Sequence, residues 1–306
     1  MIIPTFPEFS EIDFSMRDEI KAIISPLKDG LSDFFFSNIY FFKDYYSYRI
    51  SRTESALVIR GSYEGKPFAM IPHGKITELL LRTLLEENRE LAFISPSLLE
   101  ENKALFSHPD FELTEDRNNF DYLYLREELA NLSGKKFHKK RNRVNKFQNT
   151  YTGIETKPLT KENTADAQAV LDKWVALGNE RGDYDAATLC LQHIEDAGNI
   201  IGLVLYVEKL PTAWTAAEIS GDGTTAIVYF EKADITYDGA FQYINYAFAN
   251  FLPPQVVYIN REQDLGKEGL IRSKQGYNPV GFVKKYTLRF KNRQKLFKTE
   301  IPVQTL

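Results

Sequence analysis

The sequence predicts a two-domain fold of class α/β (α+β), in which mixed, mostly antiparallel sheets are flanked by helices. A length of 306 residues exceeds one small domain and suits two of ordinary size. From residue 160 onward the predicted elements follow the order α-α-β-β-β-α-β-α-β, which indicates a sheet with helices packed on its faces. A hydrophobic fraction of 43% and a charged fraction of 26% are typical of a soluble globular protein.

The N-terminal half combines hairpin strands with helices. Residues 47–72 predict strands joined by a turn at Glu64 and Gly65, since alternating apolar residues precede this turn signal. Residues 76–88 have apolar residues at helical spacing, with Thr77 as the N-cap. Shorter patterns predict a strand at 91–95, a helix at 96–107 and a strand at 120–125.

Residues 126–151 predict one long, basic helix that joins the two halves. Its apolar residues recur at steps of three, four and seven, with an irregularity at Ser133 and Gly134. Seven Lys or Arg residues and one His fall between Lys135 and Lys146, although the chain has a net charge of −4. The segment suits a nucleic acid, a phosphate-bearing cofactor or a solvated helix face. A tRNA would be contacted by Lys135, Lys136, Lys139, Lys140, Arg141 and Arg143, whereas the acidic balance argues against DNA.

The C-terminal half predicts the elements that carry the candidate site. They are strands at 153–160, 199–207, 212–220, 224–234, 256–262 and 281–290, and helices at 161–180, 184–198, 237–252 and 264–277. We place the domain boundary between residues 151 and 152, giving domains 1–151 and 152–306.

Several kinds of chemistry are disfavoured by what the sequence contains. Cys190 is the single cysteine, so the chain has no internal disulfide and no cysteine-based zinc site. The four His residues have no metal-ligand spacing, and the motifs of P-loop, HExxH and GxSxG enzymes do not occur, so we expect no metal. No stretch approaches about 20 apolar residues, and the first residues lack signal-peptide character, so we expect a cytoplasmic protein.

The loop Asp238-Gly239-Ala240 lies between a predicted strand and a predicted helix. Small residues at a helix start let a ligand approach the free backbone N–H groups, and the helix dipole favours an anion there. A pyrophosphate would suit such a site. The alternative is an ordinary helix start, with Asp238 as the cap and Gly239 in the turn.

The segments after this loop carry a resemblance to acyltransferases of the GNAT type. Residues 256–281 give a strand ending near Asn260, a helix, and an aromatic Tyr277 beside Gly276. The resemblance implies that strand 224–234 splays from its neighbour, that an acyl donor lies in the gap, and that the next helix start binds its pyrophosphate. It also implies two tandem GNAT-like lobes.

The stretch "EGLIRSKQGYNP" carries Arg272, Lys274, Tyr277 and Pro279, which stand as an Arg, a Lys, an aromatic residue and a Pro. In this order it resembles a segment near the end of the catalytic domain of phosphatidylglycerol lysyltransferases and of their stand-alone relatives, the family DUF2156. Gly276 departs from the pattern, since the lysyltransferases tend to have a second Lys there. The resemblance implies transfer of an acyl or aminoacyl group from acyl-CoA or aminoacyl-tRNA to an amine or hydroxyl.

The candidate site residues follow from this chemistry. Glu231 is the candidate base or substrate-binding group, Asn260 would orient the donor, and Asp264 would bind a cationic acceptor amine. Each has a structural alternative, namely a salt bridge or pairing with a neighbouring cation. The donor-binding candidates are Phe230, Lys232, Ala233, Gly239, Ala240, Phe241, Gln242, Arg272 and Lys274. The competing hypothesis is a non-catalytic module that binds tRNA or a nucleotide through residues 135–146.

Overall fold

The structure is a computed structural model that describes residues 2–178, 182–197 and 200–292. Parts of three predictions lie outside the described residues. They are the end of helix 161–180, the junction of helix 184–198 with the strand that follows it, and residues 293–306 of the expected second domain.

Short and medium-length helices are distributed along the whole described chain. They are α1 (Arg17–Ile24), α2 (Phe36–Phe41), α3 (Glu78–Glu87), α4 (Pro96–Glu101), α5 (Lys103–Phe106), α6 (Arg126–Asn131), α7 (His138–Thr150), α8 (Thr164–Ala176), α9 (Tyr184–Gln192), α10 (Ala240–Phe251) and α11 (Glu268–Gln275). Within the described chain, no helix has both the length and the apolar character needed to cross a membrane.

The strands are β1 (Ser10–Glu11), β2 (Arg49–Arg52), β3 (Leu57–Tyr63), β4 (Lys66–Met70), β5 (Glu90–Ile94), β6 (Phe111–Glu115), β7 (Asp121–Leu125), β8 (Ile154–Pro158), β9 (Ile200–Val207), β10 (Leu210–Ile219), β11 (Thr225–Ala233), β12 (Tyr258–Asn260), β13 (Gly281–Val283) and β14 (Tyr286–Phe290). They form two seven-stranded sheets, with strand orders β1-β2-β3-β4-β5-β14-β6 and β13-β7-β12-β11-β10-β9-β8.

Each sheet is mixed and mostly antiparallel. The parallel pairs are β4 with β5 and β11 with β12, and each pair is joined by a crossover helix, α3 or α10. The predicted fold class, two GNAT-like lobes with a mixed sheet flanked by helices, is confirmed. The predicted hairpin β3–β4 and the N-cap of α3 are also confirmed, because Glu64 and Gly65 have positive φ and the Thr77 side chain accepts from the Leu80 amide at 3.2 Å.

The described chain separates into two compact units that interleave along the sequence. The first unit contains Ile12–Tyr48 and Asn118–Val283, and the second contains Ile3–Glu11, Arg49–Arg117 and residues from Lys284 onward. The expected boundary between residues 151 and 152 lies inside the first unit. The physical reason is that α7 packs against α10, so the basic segment belongs to the core of this unit.

Three predicted elements are each divided in the structure, the first being the helix expected over 96–107, which is α4 and α5 separated at Asn102. The helix expected over 126–151 is interrupted, because Leu132 and Gly134 adopt positive φ of 48° and 79°, and it resumes through a 3-10 turn at Lys135–Phe137. The strand expected over 281–290 is two strands, β13 and β14, which belong to different sheets.

The apolar core of the first unit holds α7 in place. Val144 and Phe147 are buried in the same cluster as Ile244 and Phe248 of α10. The Phe147 and Tyr243 rings stack with their centroids 4.8 Å apart. Because these apolar residues bind α7 to α10, the Lys and Arg residues of α7 are left on its remaining faces.

Candidate functional site

The start of α10 depends on a glycine. Gly239 has a φ of 96°, a left-handed conformation that favours glycine. A Cβ there would lie 3.0 Å from the carbonyl oxygen of Arg143 and 3.2 Å from Cβ of Phe147. Gly239 therefore permits both the turn into α10 and the close approach of the α7 backbone.

Asp238 connects the same loop to α7 by charge. Its carboxylate accepts hydrogen bonds from Arg143 and, at 2.7 Å, from Lys146. The Lys146 hydrogen bond and the two nearby cations lower the pKa of Asp238. The basic segment thus has a structural role here, since two of its cations hold the loop that precedes α10.

A cavity of about 540 Å³ lies where the basic segment meets the start of α10. Its lining residues are Lys136, Lys139, Lys140, Arg143, Ile235, Tyr237, Asp238, Gly239, Ala240, Phe241, Gln242 and Gly276. The cavity therefore brings together four predicted donor-binding residues, Gly239 to Gln242, and four cations predicted as phosphate contacts. Cationic side chains beside a helix N-terminus form an environment that favours an anion.

The six cations expected to contact tRNA are in different situations. Arg141 donates to the carbonyls of Leu132 and Gly134, at 2.5 and 3.2 Å, and so stabilises the break before α7. Lys136 pairs with Glu128 at 2.6 Å, while Lys135 and Lys139 are exposed.

Lys140 is the half-buried cation of the cavity. Its Nζ lies 3.7 Å from the centroid of the Tyr277 ring, a cation–π distance. Burial, together with the nearby Arg261 charge, lowers the pKa of Lys140 to about 8. A Cβ on Gly276 would lie 3.3 Å from this Nζ, so the missing side chain at residue 276 leaves room for the ammonium group.

A β-bulge in β11 determines which way the candidate base points. Ala216 pairs with Phe230 and Ala217 with Val228, so Tyr229 is the extra residue. The extra residue reverses the alternation, so that Glu231 lies on the same face as Val228 and reaches Asn245 of α10.

The ladder between β11 and β12 ends just before this bulge. It joins Thr225, Ala226 and Ile227 to Tyr258, Ile259 and Asn260. Residues 228–233 continue β11 beyond the last of these pairs, while β12 ends at Asn260. The pairing therefore stops within the strand that the GNAT resemblance expects to splay from its neighbour, and this end of the β11–β12 ladder is called the splay below.

Glu231 and Arg261 form a buried ion pair at this splay. The Arg261 Nη2 lies 2.8 Å from Oε1 of Glu231, and their side chains are 13% and 10% exposed. Asn245 Nδ2 donates to the other Glu231 oxygen at 3.2 Å, and the Tyr277 ring centroid lies 4.9 Å from the guanidinium carbon. In the part of the chain that the structure describes, Nη1 of Arg261 and Oδ1 of Asn245 are buried without a hydrogen-bond partner.

Lys274 is buried behind the splay. Its Nζ donates to the carbonyl of Arg261 and, at 3.1 Å, to that of Glu262. Burial lowers the pKa of Lys274 to about 8. Lys274 therefore fixes the backbone that carries Arg261, and it is not among the residues that line the 540 Å³ cavity.

Asn260 and Asp264 are buried and bonded to protein groups. The Asn260 amide donates to Asp121 at 3.0 Å and to the Gly30 carbonyl at 3.1 Å. Asp264 accepts from the Tyr122 hydroxyl at 2.7 Å and from the Gly266 amide at 2.8 Å. The structure places neither residue in the cavity lining.

The remaining candidates belong to the same unit but do not line the cavity. Phe230 and Ala233 are buried in β11. Lys232 pairs with Asp183 at 2.7 Å, and Arg272 is exposed and lies 3.3 Å from Glu268. Across residues 2–178, 182–197 and 200–292, no group of His, Cys, Asp and Glu could hold a metal ion.

The sequence analysis did not predict the ion pair of Arg261 with Glu231 or the contact of Lys140 with the Tyr277 ring. Arg261 was not among the predicted site residues, and it pairs with Glu231, thirty positions earlier in the chain. The position of Arg261 directly after Asn260, the predicted end of a strand, could have indicated its role, since a side chain at the end of a splayed strand faces the gap.

Comparison with known proteins identifies the family. The model of the family described as phosphatidylglycerol lysyltransferase, C-terminal, matches residues 25–289. A search of curated proteins finds no match.

Three solved structures are similar over nearly the whole chain. A conserved protein of unknown function from Bacteroides thetaiotaomicron is 31% identical, with a TM-score of 0.80, and the alignment covers 95% of this chain and 100% of that one. L-PGS from Bacillus licheniformis is 16% identical, with a TM-score of 0.61 and coverages of 97% and 96%. The C-terminal DUF2156 domain of a candidate lysylphosphatidylglycerol synthetase from Agrobacterium fabrum is 14% identical, with a TM-score of 0.60 and coverages of 90% and 92%. The chain therefore belongs to the family of phosphatidylglycerol lysyltransferase C-terminal domains, a membership that together with the fold indicates an acyltransferase.

Proposed function

We propose that this protein transfers an acyl or aminoacyl group from a phosphate-bearing donor, acyl-CoA or aminoacyl-tRNA, to an amine or hydroxyl acceptor. The observation that carries the proposal is the cavity at the start of α10. Four cations and a helix N-terminus line it, and both favour phosphate. The donor's phosphates would lie there, with its acyl group directed toward the splay of β11 and β12.

The buried polar groups at the splay suit the transfer step. As the acceptor attacks the acyl carbonyl, negative charge develops on the carbonyl oxygen and Glu231 would take up the proton that the acceptor loses. The bond between the acyl carbon and the donor's sulfur or oxygen then breaks, and the departing CoA thiol or tRNA hydroxyl receives that proton. Arg261 Nη1, a buried donor without a partner among the described residues, would stabilise that oxygen. Glu231 and Oδ1 of Asn245 would hold the hydrogens of an amine or hydroxyl.

The proposal is tested by binding and transfer assays on the purified chain. Calorimetric titrations with CoA and with tRNA, the latter at two salt concentrations, would identify the donor class. Saturable CoA binding supports an acyl-CoA enzyme. Salt-sensitive tRNA binding, followed by movement of a labelled aminoacyl group to an added amine, supports an aminoacyltransferase. If tRNA binds and no group is ever moved, the protein is a binding module and the proposal fails.

A further inference from the structure

The first unit contains a second cavity, of about 590 Å³, which the proposed transfer does not use. It lies between α1, the segment that follows α1, and the turn that joins β10 to β11. Much of its wall is apolar, with contributions from Ile24, Leu27, Leu31, Phe34 and Phe36. Its volume is in the range of about 300–1,000 Å³ that is typical of small-molecule sites.

Hydrogen bonds hold the polar walls of this cavity. Asp121 accepts from the backbone amide and the hydroxyl of Ser32, at 2.9 and 3.0 Å, and Asn260 donates to the Gly30 carbonyl. On the other side, the Asp222 carboxylate accepts from Ser220 and Thr224 and so closes the turn. These hydrogen bonds fix the segments that form the cavity wall.

A buried carboxyl group lines this cavity. Glu218 of β10 is 6% exposed, and it accepts from the hydroxyl of Tyr229, the bulged residue of β11, at 2.9 Å. Burial raises the pKa of Glu218, while hydrogen bonds from Ser37 and Tyr229 and the charge of Lys21 oppose this rise and do not cancel it.

The titratable groups around Glu218 come from several elements. Lys21 on α1 lines the same cavity, and so do Lys28 and Asp29, which follow α1, and Asp222 in the turn between β10 and β11. Tyr229 lies on β11, and Cys190 on α9 interacts electrostatically with Glu218. The direct donors to the carboxyl are hydroxyls, which carry no positive charge. A buried carboxylate is stabilised most by a cation that donates hydrogen bonds to it.

We propose that this cavity binds a ligand with a protonated amine and an apolar body, the ammonium group pairing with Glu218. The aromatic and aliphatic wall would bury the body of the ligand, and Glu218 would supply the specific polar contact. The inference stands apart from the proposed transfer reaction, because its test measures binding at a site that the donor does not use.

The test compares 2-phenylethylamine, which carries a positive charge, with 2-phenylethanol, which is neutral and has nearly the same shape. Titrations followed by NMR of the protein should show the amine binding at least about tenfold more tightly than the alcohol. Glu218→Gln should reduce amine affinity to that of the alcohol. Lys21→Met, which removes the lysine whose charge acts on Glu218, should leave amine affinity unchanged or increase it.

Proton release gives a second measurement that needs no variant. Because the pKa of Glu218 is raised in the free protein, an ammonium group that pairs with it should expel a proton on binding at any pH where Glu218 is still partly protonated. Calorimetry in two buffers of different ionisation enthalpy detects that release. Equal affinities for amine and alcohol, full amine affinity in a folded Glu218→Gln variant, or binding without proton release would each overturn the proposal.

Discussion

The Glu231–Arg261 pair allows one sharp prediction about stability. Arg261→Met would leave the Glu231 carboxylate buried without its guanidinium partner. Removing one member of a buried ion pair costs about 3–5 kcal/mol of unfolding free energy. We expect about 3 kcal/mol, the lower end, because the ammonium group of Lys140 also interacts with Glu231.

The double variant Glu231→Gln/Arg261→Met separates the lost pair from lost packing. With both charges removed, no uncompensated charge stays buried, so the double variant should be more stable than Arg261→Met by about 2 kcal/mol. Arg272→Met is the matched control. It removes an Arg from a pair whose side chains are 80% and 88% exposed, and its effect should stay within about 0.5 kcal/mol.

Urea unfolding followed by tryptophan fluorescence measures these differences. The two Trp residues, Trp174 and Trp214, both belong to the first unit, so the signal reports on the unit that contains the pair. If Arg261→Met is as mild as Arg272→Met, or if the double variant is as unstable as the single one, the reasoning about the buried pair is refuted.

Three further predictions concern the cavity and its supports. Gly239→Ala should lower the free energy of unfolding by about 2 kcal/mol, because residue 239 has a positive φ and a Cβ there would crowd the Arg143 carbonyl. Gly269→Ala, where a Cβ meets open space, should instead raise the free energy of unfolding by about 0.4–1 kcal/mol. The affinity for dimethyl pyrophosphate, whose charge is constant from about pH 7 to about pH 9, should fall over this range because the Lys140 ammonium, with a pKa of about 8, loses its proton. In Lys140→Met the affinity should depend little on pH. Asn260→Ala should cost about 2–3 kcal/mol in urea unfolding, because the Asp121 carboxylate and a buried carbonyl lose their donor.

Each of these predictions has a result that contradicts it. Equal effects of the two glycine substitutions would show that the left-handed turn is not required. A pH profile unchanged by Lys140→Met would place the titrating group elsewhere. An Asn260→Ala variant with wild-type stability and impaired donor binding would favour a direct role for Asn260 in the site.

The parts of the site that sequence could predict are those formed by neighbouring residues. A strand, small residues at Gly239 and Ala240, and a helix follow one another directly, so the helix start that lines the cavity could be predicted from the sequence. The helical spacing of apolar residues, which predicts that Val144 and Phe147 are buried, could also be recognised in the sequence. The sequence therefore indicated which face of α7 would be buried and that its other faces would carry the cations.

The parts of the site that the sequence could not predict depend on contacts between residues far apart in the chain, or on a β-bulge that has no sequence signal. Nothing in the run from Thr225 to Ala233 marks Tyr229 as the bulge, yet that single residue decides which face carries Glu231. Arg261 reaches Glu231 through the fold, and Asp238 meets cations more than ninety positions away. Such contacts follow from tertiary packing and have no local pattern.

The most direct test of the central claim is the binding of dimethyl pyrophosphate to the cavity between α7 and α10. Calorimetry on the wild type should give saturable binding at one site, which the double charge reversal Lys139→Glu/Lys140→Glu abolishes. The control Lys66→Glu/Lys75→Glu makes the same change of charge in the second unit and should leave binding intact. Equal loss in both double variants, or no binding by the wild type, would contradict the claim that this cavity holds the phosphates of the donor.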